Sequence, residues 1–166
     1  MKKILNLEDK VFNDFKLIKK PDINSIRVSY VPQHVNLLNT PLFENVTFKE
    51  RHLCEKSEQL FFEKIICDLN LNNLNSEVEL GTDAAILSGG ERQRVSIARA
   101  LFKKPDILFM DEFSSSLDKD NSYKVLKTCM SLCDTIVYIS HDMNMINLAD
   151  YKIDIMGHNN YHIMKI

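Results

Sequence analysis

Four short stretches of this sequence carry residue types suited to handling a phosphate ester. The first is Leu87-Ser88-Gly89-Gly90-Glu91-Arg92-Gln93-Arg94. A serine and two glycines at the start of a helix present a hydroxyl and unpaired backbone N–H groups, and the helix dipole favours negative charge there. Glycine, lacking a Cβ, lets a phosphate approach the backbone closely. Alone, such a start is a helix cap and nothing more. The second stretch is Asp111-Glu112, two carboxylates at the end of the apolar run Ile107-Leu108-Phe109-Met110. The first can hold Mg2+, usually through water, and the second can orient or deprotonate an attacking water. In Ile139-Ser140-His141-Asp142, a histidine leaves another apolar run and can donate a hydrogen bond to a γ-phosphate. Finally, Tyr30-Val31-Pro32-Gln33 sets a glutamine amide where it can contact a metal-bound or attacking water.

Positioning these residues requires strands that end at one edge. Ser25 to Pro32 is β-branched and closed by proline, the pattern of a strand. Ile107–Met110 and Ile136-Val137-Tyr138-Ile139 are continuous apolar runs of strand length, as expected for strands buried on both faces. Between them lie helical patterns. Pro41 to Phe48 begins one, and Cys54 to Leu71 carries Leu60, Phe61, Ile65, Ile66 and Leu69 at helical spacing. Ser88 caps a helix that runs to about Phe102, and another spans about Asn121 to Cys133. After a short further helix, Tyr151–Met156 and Tyr161–Ile166 form a hairpin through Gly157-His158-Asn159-Asn160. Strands alternating with helices predict an α/β domain with a mostly parallel sheet, whose ligands sit at the carboxyl ends of the strands.

Composition narrows the alternatives. With 166 residues, 45% of them apolar, the chain has material for one domain core. The formal charge of −2 and scattered basic residues give no basic field for nucleic acid. No run of ~18 apolar residues suits a membrane span. Cys54, Cys67, Cys129 and Cys133 contain no Cys-x-x-Cys pair and read as free buried thiols of a reducing compartment.

In this order and spacing the motifs resemble the ABC ATPase family, over about Ser25 to Met156. LSGGERQR at 87–94 is similar to the family signature, ILFMDE at 107–112 to its Walker B strand and SSSLD at 114–118 to its D-loop. Gln33 matches the Q-loop glutamine and His141 the switch histidine. YVPQHVNLLNTPLFENVTF at 30–48 is similar to the Q-loop region of exporters, and Leu80-Gly81 weakly resembles their X-loop, from which Thr82 and Ala84 depart. Phe113 stands where the family commonly has Pro or Ala.

The resemblance implies a P-loop NTPase-like α/β fold, with a helical subdomain over about 45–100 that carries the signature. It places Walker B, D-loop, H-loop and the terminal hairpin over 105–166. It further implies ATP and Mg2+ as cofactors. Glu112, His141 and Gln33 take catalytic roles; Ser88, Gly89, Gly90, Glu91 and Asp118 contact nucleotide; Asp111 and Gln33 attend the metal. The partners implied are a second ABC ATPase domain, in a head-to-tail dimer, and a membrane-spanning transporter domain at the cytoplasmic face. The DNA-repair branch separates its motifs by long coiled coils, and the translation-factor branch carries a different D-loop; neither pattern is here.

One part of the family pattern does not occur. The phosphate-gripping G-x-x-x-x-G-K-[ST] needs glycines ahead of a lysine, whereas Gly81, Gly89, Gly90 and Gly157 are the only glycines and none precedes lysine. Met1 to Arg27 resembles the segment just after the Walker A helix in the family, a short hairpin and connector. The expectation is therefore a domain lacking its N-terminal strands and Walker A helix, inactive by itself, with low stability and apolar sheet surface laid bare. It is either the C-terminal part of an exporter ATPase or a non-catalytic subunit that completes a partner's ATP site through Ser88–Gly90. A non-functional gene remnant is the remaining alternative.

Overall fold

The computed structural model describes residues 25–77, 79–81, 86–157 and 160–166. The reading of Met1 to Asn24 as hairpin and connector, and the X-loop departures at Thr82 and Ala84, lie outside them. Three parallel strands form the centre: β1 (Val28–Val31), β2 (Ile107–Asp111) and β3 (Thr135–Ile139), in that spatial order. Parallel neighbours need long crossovers. The β1-to-β2 connection is helical, with α1 (Leu42–Thr47), a 3₁₀ turn (Arg51–Leu53), α2 (Lys56–Asp68) and α3 (Gly89–Phe102). Helix α4 (Lys119–Leu132) joins β2 to β3, and α5 (Met143–Ile146) leads to the hairpin β4 (Tyr151–Gly157) and β5 (Asn160–Lys165).

Helix ends follow their sequence signals. At α3, Ser88 and Glu91 form a reciprocal capping box, the serine hydroxyl accepting from the Glu91 N–H at 3.3 Å. At α4, Asp118 caps by accepting the Asn121 N–H at 2.8 Å, so that helix begins two residues earlier than the spacing predicted. Pro41 precedes α1, and Phe48 ends it in a left-handed conformation, φ 56°. Ion pairing joins the starts of two strands. Arg27 donates from Nη2 to Asp106 Oδ1 at 2.9 Å, and its backbone N–H and Nε both reach Oδ2.

Helix α3 is the pivot of the core. It packs against α1 and α2 on one side and against β1 on the other. Val95, Ile97, Ala98 and Leu101 are buried there, together with Leu42, Phe43, Phe62 and Ile65 of the helical layer and Val31, Leu108 and Met110 of the sheet. Period-two alternation assigns the sheet residues to faces. In register, Ser29, Leu108 and Ile136 form one row and Val31, Met110 and Tyr138 the next, both turned towards α3 and α4.

The opposite face corrects the expectation of strands buried on both sides. Tyr30, Phe109 and Val137 lie in register on it, with Val28 and Ile139 beside them, and all are exposed. Phe109, in the central strand, keeps 40% of its surface in contact with solvent. The apolar runs in β2 and β3 are those of doubly covered strands, yet among the described residues only one side is covered. All four cysteines are free; Cys54, Cys129 and Cys133 are buried, but Cys67 faces outward from α2, contrary to the buried-thiol reading.

Candidate functional site

Parallel orientation carries the ends of β1, β2 and β3 to one edge, and four of the sequence-derived residues meet there. Asp111 is the last residue of β2, paired with Ile139 of β3. Glu112 follows it in a left-handed backbone conformation, φ 43°, which a glutamate adopts only under local constraint. From that position its carboxylate is clasped from both sides. Gln33, two residues beyond β1, donates from Nε2 to Glu112 Oε2 at 2.6 Å. His141, two residues beyond β3, places Nε2 3.4 Å from Glu112 Oε1. Glu112 is thus sheltered between the flanking strand ends, with the His141 side chain largely in solvent.

Asp111 takes a neighbour that the sequence did not indicate. The Tyr30 hydroxyl donates to Asp111 Oδ2 at 3.1 Å across the β1–β2 pair. The signal is the parallel register, which sets Tyr30 opposite Phe109 and so one pleat short of Asp111; no local pattern reveals it. Asp111 Oδ1 takes no hydrogen bond from the described residues. Among them no group of three or more His, Cys, Asp or Glu side chains is arranged to hold a metal ion. Mg2+ is usually held by one or two carboxylates, waters and substrate phosphates, so a single Asp111 carboxylate at the strand end is compatible with that ion and no all-protein cage is needed, while the Gln33 amide is engaged with Glu112.

Ser88, Gly89 and Gly90 occupy a different position. They open α3 against the turn after Glu112, where Ser115 donates its N–H to the Glu112 carbonyl at 3.0 Å and Leu117 to that of Ser114 at 3.1 Å. A Cβ on Gly90 would come within 3.1 Å of the Ser116 carbonyl oxygen and 3.2 Å of Leu117 Cδ2. Gly90 therefore allows helix start and turn to touch. Gly89 is less confined, since a Cβ there would meet Ser116 only at 3.6 Å.

Two residues assigned to nucleotide on sequence grounds are engaged locally. Glu91 Oε2 accepts from Ser88 N at 2.9 Å and from Ser88 Oγ at 2.7 Å. Those bonds, the hydroxyl's foremost, hold its carboxyl below the usual range. Asp118 accepts from both the backbone N–H and the side-chain amide of Asn121, and the backbone bond leads in lowering its carboxyl. Both carboxylates close helix starts.

The loop after Gln33 is fixed by a network that sequence inspection missed. Arg99 of α3 donates to the Asn45 carbonyl at 2.8 Å, to Asn45 Oδ1 at 3.0 Å and to the Asn36 carbonyl at 3.1 Å. Buried Asn45 in turn donates to the carbonyls of Leu38 and Thr40, both at 2.9 Å. The segment leaving Gln33 is thereby tied to the helix that begins at Ser88.

Comparison with known proteins agrees with these motifs. A family model described as ABC transporter matches residues 4–115. The "Lactococcin transport/processing ATP-binding protein LcnC-like" of Lactococcus lactis subsp. lactis is 30% identical over 74% of this chain and 18% of its own length. The "Iron-sulfur clusters transporter ATM1, mitochondrial" of Kluyveromyces lactis is 32% identical over 86% of this chain and 21% of its own. The "Methionine import ATP-binding protein MetN" of Ligilactobacillus salivarius is 38% identical over 79% of this chain and 38% of its own. Among solved structures, one of a bacterial Atm1-family ABC exporter with ATP bound superposes with a TM-score of 0.63. It is 29% identical, covering 75% of this chain and 23% of that one. The chain thus spans well under half the length of each of these proteins.

Proposed function

Because the chain belongs to the ABC transporter family as part of its ATP-binding domain, we propose that it serves ATP hydrolysis coupled to transport across a membrane, in the direction of export. The observation that carries this reading is the Glu112 carboxylate, clasped by Gln33 at 2.6 Å and His141 at 3.4 Å beside Asp111 at the strand ends. Glu112 accepts a proton from the attacking water, which Gln33 orients from the β1 side. His141 donates to the γ-phosphate, and Asp111, with Gln33, would hold Mg2+ through water; the ion would supply neutralisation of charge on the phosphate oxygens. The grip on the α- and β-phosphates comes from outside these 166 residues, which contain no G-x-x-x-x-G-K-[ST].

In this reading the Ser88–Gly90 amides, with Glu91 and Asp118 shaping the helix starts behind them, close over nucleotide held by a second ABC ATPase domain in a head-to-tail dimer. Residues about 45–100 act as the arm that carries the signature. A membrane-spanning transporter domain supplies the passage and places the assembly at the cytoplasmic face. Among the described residues no helix is long and apolar enough to cross a membrane. Export is supported by the exporter-like stretch 30–48 and by the similarity to the solved Atm1-family ABC exporter, while an import protein is also among the relatives.

The second reading is a non-catalytic subunit that completes a partner's ATP site through Ser88–Gly90. It is favoured by the intact capping box beside a sequence without the phosphate-gripping loop. One experiment separates the two: ATPase rates of the chain purified with its phosphate-loop-bearing partner, comparing Glu112→Gln with Ser88→Arg. Loss with both variants supports hydrolysis at this chain's own carboxylate. Loss with Ser88→Arg alone supports the second reading, and no loss with either overturns both.

A further inference from the structure

Away from the strand ends, a cleft of about 240 Å3 opens between the end of α2, the first turns of α3 and the first turns of α4. Asp68, Leu69, Asn70, Arg94, Asn121, Lys124 and Val125 line it. Two of these are cations, and neither Arg94 nor Lys124 forms an ion pair within 4.0 Å among the described residues. Arg94 is half-buried, and its Nε, shielded from solvent, has no hydrogen-bond partner among the described residues. A guanidinium N–H withdrawn from water without an acceptor is costly, and charged donors in such positions are ordinarily matched by an anion. Asn70 adds an amide group on the wall from a left-handed backbone conformation at φ 53°, while the Asn121 amide already donates to Asp118 at 2.6 Å. Asp68 is the one acidic lining residue against two cations; Glu91, three positions before Arg94 on α3, is close enough to feel its charge but has its carboxylate held by Ser88.

We propose that this cleft binds a small tetrahedral oxyanion, inorganic phosphate, held by Arg94 and Lys124. The size argues for a free ion, since sites for larger ligands run from roughly 300 to 1,000 Å3. The Arg94 fork supplies directed donors and Lys124 a mobile charge. The bound ion joins three helices, and Arg94 Nη1 lies so near Gly90 that a Cβ there would stand 3.5 Å from it. Occupancy is therefore coupled to the start of α3. The proposal does not depend on ATP hydrolysis by this chain.

The test tracks backbone amide shifts of the full chain while sodium phosphate is added, with sodium chloride at matched ionic strength as reference. Saturable shifts centred on residues 68–70, 94 and 121–125, with smaller ones at 89–91 where α3 begins, are expected. Lys124→Gln, at an exposed position that leaves the fold intact, should weaken binding about tenfold, as removal of a charged donor does. Arg94→Gln should abolish it, and Lys127→Gln, one turn along α4, should change nothing. Non-saturating shifts, equal shifts with chloride, or unchanged affinity in Lys124→Gln would overturn the proposal. A parallel titration with ATP decides the source of the oxyanion. Tighter saturation of the same amides by ATP would replace the free ion with a nucleotide phosphate.

Discussion

Gln33 and Glu112, 79 positions apart in the chain, are joined by a 2.6 Å hydrogen bond that fixes the rotamer of the glutamate. The bond exists because β1 and β2 run parallel and end together, so residues just past each strand face one another. Glu112 sits in a strained backbone conformation and is steadied by its neighbours rather than by its own turn. For the complete ATPase assembly, Glu112→Gln should lower kcat by about 10²–10⁴-fold, the range for removing a general base. Gln33→Ala should lower kcat by less, leaving nucleotide affinity nearly unchanged. A steady-state assay reporting kcat and KM separately checks both. Equal rates for wild type and Glu112→Gln would remove the glutamate from the mechanism.

The two signature glycines should respond differently to a methyl group. Gly89→Ala meets only ordinary contact and gains helix propensity, so it should be neutral or stabilising by up to about 1 kcal/mol. Gly90→Ala presses on the Ser116 carbonyl and Leu117, and should destabilise by about 1–3 kcal/mol, as overpacking does. Urea unfolding of the two variants measures the difference. Equal midpoints would mean that the 114–118 turn yields freely.

The tether between β1 and β2 has a defined acid limit. Arg27, by hydrogen bonds first and charge second, lowers the Asp106 carboxyl to about 2. A carboxyl depressed in the folded state contributes stability that is complete above its unfolded value, near 3.8, and fades as pH falls towards 2. Carboxyl NMR titration of Asp106 should give a midpoint near 2, and Arg27→Ala, which removes the guanidinium but keeps the backbone N–H bond, should raise it part of the way towards the ordinary range. An ordinary midpoint in the wild type would show the pair to be open in solution.

The two sheet faces should differ under truncation. Leu108 is fully buried and Phe109, the next residue, is exposed on the opposite face. Leu108→Ala should cost about 2–5 kcal/mol. Phe109→Ala should cost much less in the chain alone, despite removing a larger side chain. If a partner covers the bare face, the Phe109 penalty should rise when unfolding is measured in the complex. Equal losses in the isolated chain would show that the Tyr30–Phe109–Val137 row is already packed.

The features legible in the sequence are those that depend on neighbours within one turn or on order along the chain. Ser88 with Glu91 spells a capping box because its partners are three residues apart, and the structure contains it. The apolar runs at 107–110 and 136–139, alternating with helical segments, specify parallel strands, and parallel strands bring Gln33, Asp111, Glu112 and His141 to one edge. Tertiary structure decided the rest. Tyr30 reaches Asp111 across 81 positions, through a register that no local pattern sets. Arg99 binds Asn45 across 54 positions for the same reason. Asp118 and Glu91 look like free carboxylates in a motif, but the helix starts behind them supply N–H groups that hold them. The apolar composition of β2 and β3 suits two covered faces. Side-chain hydrophobicity records what a strand can be buried against, whereas the packing of α3 and α4, on one side alone among the described residues, determines which face these residues cover.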